Sequence, residues 1–140
     1  MIAHFTLDGI PIHQQRPRVK MRGQFHKMYN PNANDLHNAK ISLLSQISQI
    51  KSSFQKIEKD IPFSVRLIFY MQIPKTYSKK KRDDAIKGII HHTACDIDNL
   101  IKFVLDACNE IIWHDDRSIT EIHALKVFSD TPRTEIFVNV

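Results

Sequence analysis

Apolar residues recur along this chain in two rhythms, and the switches between them mark its elements. From His4 to Ile10 apolar and polar positions alternate, with Phe5 and Leu7 on one face, which predicts a strand. Leu36, Ile41, Leu43, Leu44, Ile47, Ile50, Phe54 and Ile57 recur at helical spacing behind Asn34 and Asp35, either of which can cap. They predict a helix of about 20 residues that ends before Pro62, since a helix cannot easily run through proline. Phe63–Ile73, rich in β-branched and aromatic side chains and stopped by Pro74, predicts a strand. Ser78 caps a short basic helix that runs to about Lys87 and is closed by Gly88. Asn99–Ile112 predicts a second long helix, with Ile101, Val104, Leu105, Cys108 and Ile112 as its buried stripe. Ile119–Phe128 and Glu135–Val140 alternate again and predict the last two strands. Residues 11–33 hold Pro11, Pro17, Gly23 and Pro31 without helical period. They predict a long loop or irregular hairpin with Gly23 at its tip, and loops this long in small domains are usually functional.

These elements make an α+β protein: residues 1–140 as a single small domain, a mixed sheet of about four strands packed against two main helices. A hydrophobic fraction of 42% and a charged fraction of 25% suit such a core. No apolar run approaches the length of a membrane span, and Met1–Phe5 lacks the basic start of a signal peptide, so the expectation is a cytoplasmic protein with no membrane contact. Cys95 and Cys108 form no CxxC pair and are expected to be reduced thiols, with Cys108 in a helix core.

The net charge of +5 is modest, and its placement says more than its size. Arg16, Arg18, Lys20, Arg22 and Lys27 form one basic cluster; Lys75, Lys79, Lys80, Lys81, Arg82 and Lys87 form another. Acid is concentrated between residues 96 and 116. Positive surface flanking a carboxylate-rich pocket suits an enzyme that cuts a polyanion, although either cluster alone reads equally as solvated surface.

Asp96 and Asp98, two residues apart where the chain enters a helix, present their carboxylates to one side of an extended segment. Lys102 and Asp106 follow at successive helical turns, and His114-Asp115-Asp116 closes the region as a polar turn. Close carboxylates repel one another unless a hard cation lies between them, and oxygen-only ligands suit Mg²⁺ or Mn²⁺. A lysine beside such a site can stabilise charge on a phosphate or orient a nucleophile. Each piece also has a plain reading: Asp98 as a helix cap, Lys102 as its ion-pair partner, Asp115-Asp116 as a solvated turn, His114 as an exposed turn residue. Moreover, Asp116 returns to Asp96 and Asp98 only if the following strand starts near the start of the helix.

The joint pattern is more specific. Asp96-Ile97-Asp98-Asn99-Leu100-Ile101-Lys102, then Leu105-Asp106-Ala107, then Trp113-His114-Asp115-Asp116 and Ile119 closely resembles the RusA family of Holliday junction resolvases. Ile73-Pro74-Lys75 with Ser78–Arg82, and Arg16-Pro17-Arg18 with Tyr29-Asn30-Pro31, resemble its phage-type branch. The resemblance implies a RusA-like fold and a bacterial or phage-encoded, Mg²⁺-dependent homodimer that nicks four-way DNA junctions in recombination and repair. It implies Asp96, Asp98 and Asp116 as metal-holding catalytic acids, Lys102 as a catalytic cation, and Asp115 and Asp106 in supporting roles. Arg16, Arg18, Lys20, Lys79, Lys80, Lys81 and Arg82 are then the expected DNA contacts. Cys108-Asn109-Glu110 departs from the Leu-Asn-Gly of many relatives, so a changed helix end is expected. The competing expectation is a non-catalytic branched-DNA-binding protein on the same fold. A sugar-nucleotide transferase, which also uses a DxD, would need a nucleotide-binding βαβ unit for which this chain has little room.

Overall fold

Strand β4 (Phe63–Gln72) organises the molecule. Its side chains alternate between the two faces of a sheet, and the inward set, Phe63, Val65, Leu67, Phe69 and Met71, is fully buried. The computed structural model describes residues 3–50 and 53–140, in which β4 belongs to a four-stranded sheet. The other members are β1 (Ala3–Asp8), β5 (Ile119–Ser129) and β6 (Arg133–Asn139), in the order β1-β6-β4-β5. The β1–β6 and β6–β4 pairs are antiparallel and the β4–β5 pair is parallel, so the sheet is mixed, as expected.

A parallel pair needs a crossover between its strands. Here it holds helix α2 (Lys79–Ile86) and helix α3 (Ile97–Cys108). Helix α1 (Ala33–Ile50) packs beside α3 and β1. In α1 the buried positions are Ala39 and Leu43, with Leu36, Ile47 and Ile50 partly covered; Ile41 and Leu44 face solvent instead of joining the core. The expected continuation of α1 toward Pro62 includes residues 51–52, which lie outside the described residues. Phe54 and Ile57 are buried, as their apolar character requires, but not on a helix. The Ile57 N–H donates to the Ile112 carbonyl at 3.0 Å and its carbonyl accepts from His114 N–H at 2.9 Å, which occupies the groups a helix would need.

α3 starts at Ile97 and stops at Cys108, four residues short of the expected end. Its buried stripe is Leu100, Phe103, Val104, Ala107 and Cys108, while Ile101 and Leu105 are only half-covered. Ile112 and Trp113 are fully buried in the turn beyond the helix. Both cysteines are free; Cys108 is buried at the end of α3, where burial pushes its thiol far up, and Cys95 is half-buried. No described helix is long and apolar enough to cross a membrane.

Residues 11–33 do contain the expected hairpin: β2 (Arg18–Arg22) pairs antiparallel with β3 (Phe25–Tyr29) as a separate two-stranded sheet. Gly23, with φ +59°, supplies the left-handed residue of its two-residue turn. Six strands and three α-helices are therefore present among the described residues, with a short 3-10 turn at Asp116–Ser118, and there are more strands than the four that periodicity suggested because β2 and β3 bury no face.

Candidate active site and nucleic-acid interface

The acidic residues fall into two groups at opposite ends of α3. At its start, Asp96 occupies the N-cap position, yet its carboxylate accepts no capping hydrogen bond. Asp98 lies in the first turn and Lys102 one turn later. All three side chains are exposed, and none takes part in an ion pair among the described residues. The plain readings of Asp98 as the cap and Lys102 as its ion-pair partner are thus not what the fold uses.

Three contacts fix this end of the helix. The Lys126 ammonium on β5 donates to the Cys95 carbonyl at 2.5 Å, the Gln14 N–H donates to the Asn99 carbonyl at 3.0 Å, and the Cys95 thiol lies 3.8 Å from His13 Nδ1. A cavity of about 560 Å³ lies behind it, lined in part by His13, Asn32, Met71, His92 and Cys95. His92 is held below its ordinary basicity, first by burial and then by the neighbouring Lys126 charge.

At the other end, Asn109 follows the last helical residue and organises the turn. Its side-chain carbonyl accepts from the buried Trp113 indole N–H at 3.0 Å and from the Asp116 backbone N–H at 3.1 Å. The Asp115 carboxylate accepts from Arg117 N–H at 3.0 Å and Nε at 2.9 Å, and ion-pairs with Arg117 Nη2 at 2.8 Å. Arg117 accordingly lowers the pKa of Asp115. Asp116 has the opposite perturbation: burial, then the negative charges of Asp115 and Asp106, raise its pKa. Asp116 is thus the acid of this turn whose charge is least compensated, since Arg117 pairs with Asp115. His114 is partly exposed and lies 3.6 Å from the Glu110 carboxylate, in line with a turn residue.

Asp116 docks on Asn109, so β5 starts beside the end of α3 rather than its start. A 12-residue helix is about 18 Å long, which separates the Asn109–Asp116 end from Asp96 and Asp98. The condition for Asp116 to meet Asp96 and Asp98 within one chain is not met. Among the described residues, no three His, Cys, Asp or Glu side chains converge closely enough to hold a metal ion. The acids of one copy thus do not form a three-carboxylate metal site by themselves.

Of the two basic clusters, the β2–β3 hairpin is rooted at the Asp96 end, while α2 packs against β5 and reaches Asp130 beyond that strand's end. The β2–β3 hairpin carries Arg18, Lys20, Arg22 and Lys27, with Arg16 at its base, all exposed. Its two roots are joined by Gln15 N–H donating to the Asn32 side-chain carbonyl at 2.6 Å. Ser78 caps α2 through Lys81 N–H, and Gly88, with φ +79°, follows its end, both as expected. Lys79 and Lys80 are exposed; Lys81 lies over the Tyr77 ring at 4.2 Å, and Arg82 pairs with Asp130 at 2.9 Å. Arg82 is therefore the most engaged of the α2 cations. Sequence reasoning overlooked Asn109 as a positioning residue; the one signal was an amide between a helix end and an acidic pair.

A sequence profile of the endodeoxyribonuclease RusA family matches residues 8–139, nearly the whole chain. The uncharacterized protein YqaN of Bacillus subtilis (strain 168) is 33% identical over 139 residues, covering 96% of this chain and 93% of that protein.

Proposed function

The chain belongs to the RusA endodeoxyribonuclease family, and we propose that it resolves four-way DNA junctions by paired phosphodiester nicks, acting as a Mg²⁺-dependent homodimer in the bacterial cytoplasm. The observation that carries this reading is the Asp96, Asp98 and Lys102 set. These side chains are exposed, none of them takes part in a side-chain cap or an ion pair among the described residues, and they lie at the end of α3 where the basic hairpin is rooted. Exposed charges that neither cap a helix nor form an ion pair, placed beside a cationic arm, are more economically explained by a ligand than by stability.

Each residue has a role in this proposal. Asp96 and Asp98 of one copy, with Asp116 of the other, hold the metal, because α3 keeps Asp116 away from the other two within a chain. Mg²⁺, with Mn²⁺ as substitute, supplies charge neutralisation at the phosphate when bound. Lys102, one turn from Asp98, donates to a phosphate oxygen as negative charge builds on it. Asp115, locked by Arg117, holds the turn that presents Asp116, and Asp106 adds the negative charge that disposes Asp116 to take a cation. Arg16, Arg18, Lys20, Lys79, Lys80, Lys81 and Arg82 contact phosphates, Arg82 after release from Asp130.

The test is a labelled synthetic four-way junction incubated with the protein in Mg²⁺ or in EDTA, with a linear duplex as control. Symmetric nicks on the junction in Mg²⁺ are expected, and Asp98→Asn abolishes them while junction binding persists. Full cleavage by that variant removes Asp98 from the site. Junction binding by the unaltered protein without any nick establishes the rival, a non-catalytic branched-DNA-binding protein.

A further inference from the structure

The β2–β3 hairpin has two unlike faces, and the difference follows from its register. Directly paired residues share a face, so Arg18 with Tyr29, Lys20 with Lys27, and Arg22 with Phe25 form one side. Val19 with Met28 and Met21 with His26 form the other. The first face holds four cations with an aromatic ring at each end, and no acidic residue occurs in either strand. None of the four cations is ion-paired among the described residues. Lys20 and Lys27 stand directly opposite each other, an arrangement that weakens a hairpin. Every residue of both strands is exposed, and Phe25, beside the turn, is 81% exposed. Folding explains neither the self-repelling cations nor the bare ring.

A polyanion resolves the first anomaly, and a DNA site with open base faces resolves the second. In a continuous duplex the base faces are stacked on one another, so a flat ring advancing with phosphate-binding cations reaches one only by unstacking a base step, which costs about a few kcal/mol. At a branch point stacking is interrupted and base faces are available to an aromatic side chain. The arm is also correctly rooted for this, because Gln14 and His13 tie its base to Asn99 and Cys95 at the Asp96 end of α3.

We infer that the Arg18/Lys20/Arg22/Lys27 face of this hairpin is a branch-recognition surface, its cations on backbone phosphates and Phe25 stacked on a base left open at the junction centre. The inference rests on the DNA reading above and assigns part of its structure selectivity to one side chain.

Binding is measured by fluorescence anisotropy in EDTA, where cleavage does not intervene, on a four-way junction and on a linear duplex of the same sequence. Phe25→Ala and Phe25→Leu are expected to weaken junction binding on the order of tenfold and to leave duplex binding unchanged, while Phe25→Tyr keeps wild-type affinity. The Lys20→Gln/Lys27→Gln pair is expected to weaken both substrates and to flatten the salt dependence by about 0.9 per lost phosphate contact. Because the hairpin buries no side chain in the core, these variants leave the main sheet intact. Wild-type junction affinity in Phe25→Ala, or rescue by leucine, overturns the inference. So does a changed sedimentation coefficient for Phe25→Ala with unchanged binding, which would assign the arm to self-association. If the unaltered protein cleaves junctions and Phe25→Ala binds them normally, only the arm assignment fails; if it neither binds nor cleaves junctions, the nuclease reading fails with it.

Discussion

Glu110 shows how one backbone angle shapes the turn that presents the acids. With φ +66° it adopts the left-handed conformation that glycine takes freely and other residues take at a cost. The glycine of the Leu-Asn-Gly pattern was expected to be missed at the end of α3. The outcome is subtler: the chain still turns in the left-handed region there, and the side chain bears the strain. Glu110 gains only surface contacts in return, a 3.7 Å pairing with Lys56 and a 3.6 Å approach to His114. Exposed pairs of this kind contribute about 0–1 kcal/mol. Glu110→Gly is therefore expected to raise stability by about 0.5–1 kcal/mol, read as a higher urea midpoint at unchanged slope. A lower midpoint would mean that the surface pairs outweigh the strain.

Between α3 and β5, an element-scale device depends on one amide. Asn109 accepts from both the Trp113 indole and the Asp116 backbone, which joins a buried aromatic to the placement of an acid. Asn109→Ala leaves the indole N–H of a fully buried tryptophan without its acceptor, at an expected cost of about 1–3 kcal/mol. If Asp116 is catalytic, Asn109→Ala also lowers junction cleavage at temperatures where the fold is intact by circular dichroism. Loss of stability with undiminished cleavage would confine Asn109 to a structural part. At the same scale, helical periodicity extended α1 through Phe54 and Ile57, and α3 to Ile112. Those residues are buried, so their apolar spacing was informative, but their backbones are committed elsewhere: Ile57 to Ile112 and His114. A hydrophobic pattern records burial and does not distinguish the last turn of a helix from a loop folded back onto the core.

For the whole molecule, the direction of α3 decides how the acids can combine. It runs from the Lys126 end of β5 back to the start of that strand, which puts Asp98 and Asp116 about a helix length apart. If two copies pool these residues, inactive Asp98→Asn and inactive Asp116→Asn proteins regain activity when mixed. A mixed dimer then carries one doubly altered site and one intact site, and single-strand nicking of the junction returns. If each copy keeps its own site, every site in the mixture retains one lesion and no nicks appear, which would sink the pooled arrangement.

The sequence by itself determined the α+β class, the central strand, the basic helix with its Ser78 cap and the free thiols, and it left residues 11–33 as either a long loop or a hairpin tipped by Gly23. Each of these rests on local periodicity, turn chemistry or cysteine spacing. It also determined the family, because the DxDNLxK and paired-aspartate motifs are contiguous strings. Only the tertiary structure decided that Asp96 and Asp98 stand apart from Asp116, that Asn109 holds Asp116, and that the cations and rings of the hairpin share a face. Those facts depend on the direction in which a helix crosses a sheet and on cross-strand register. Both are settled by packing between residues distant along the chain, where one-dimensional spacing carries no information. The alternation of apolar and polar positions therefore located the elements that carry the chemistry, while the orientation of one crossover helix determined which of their charges could meet.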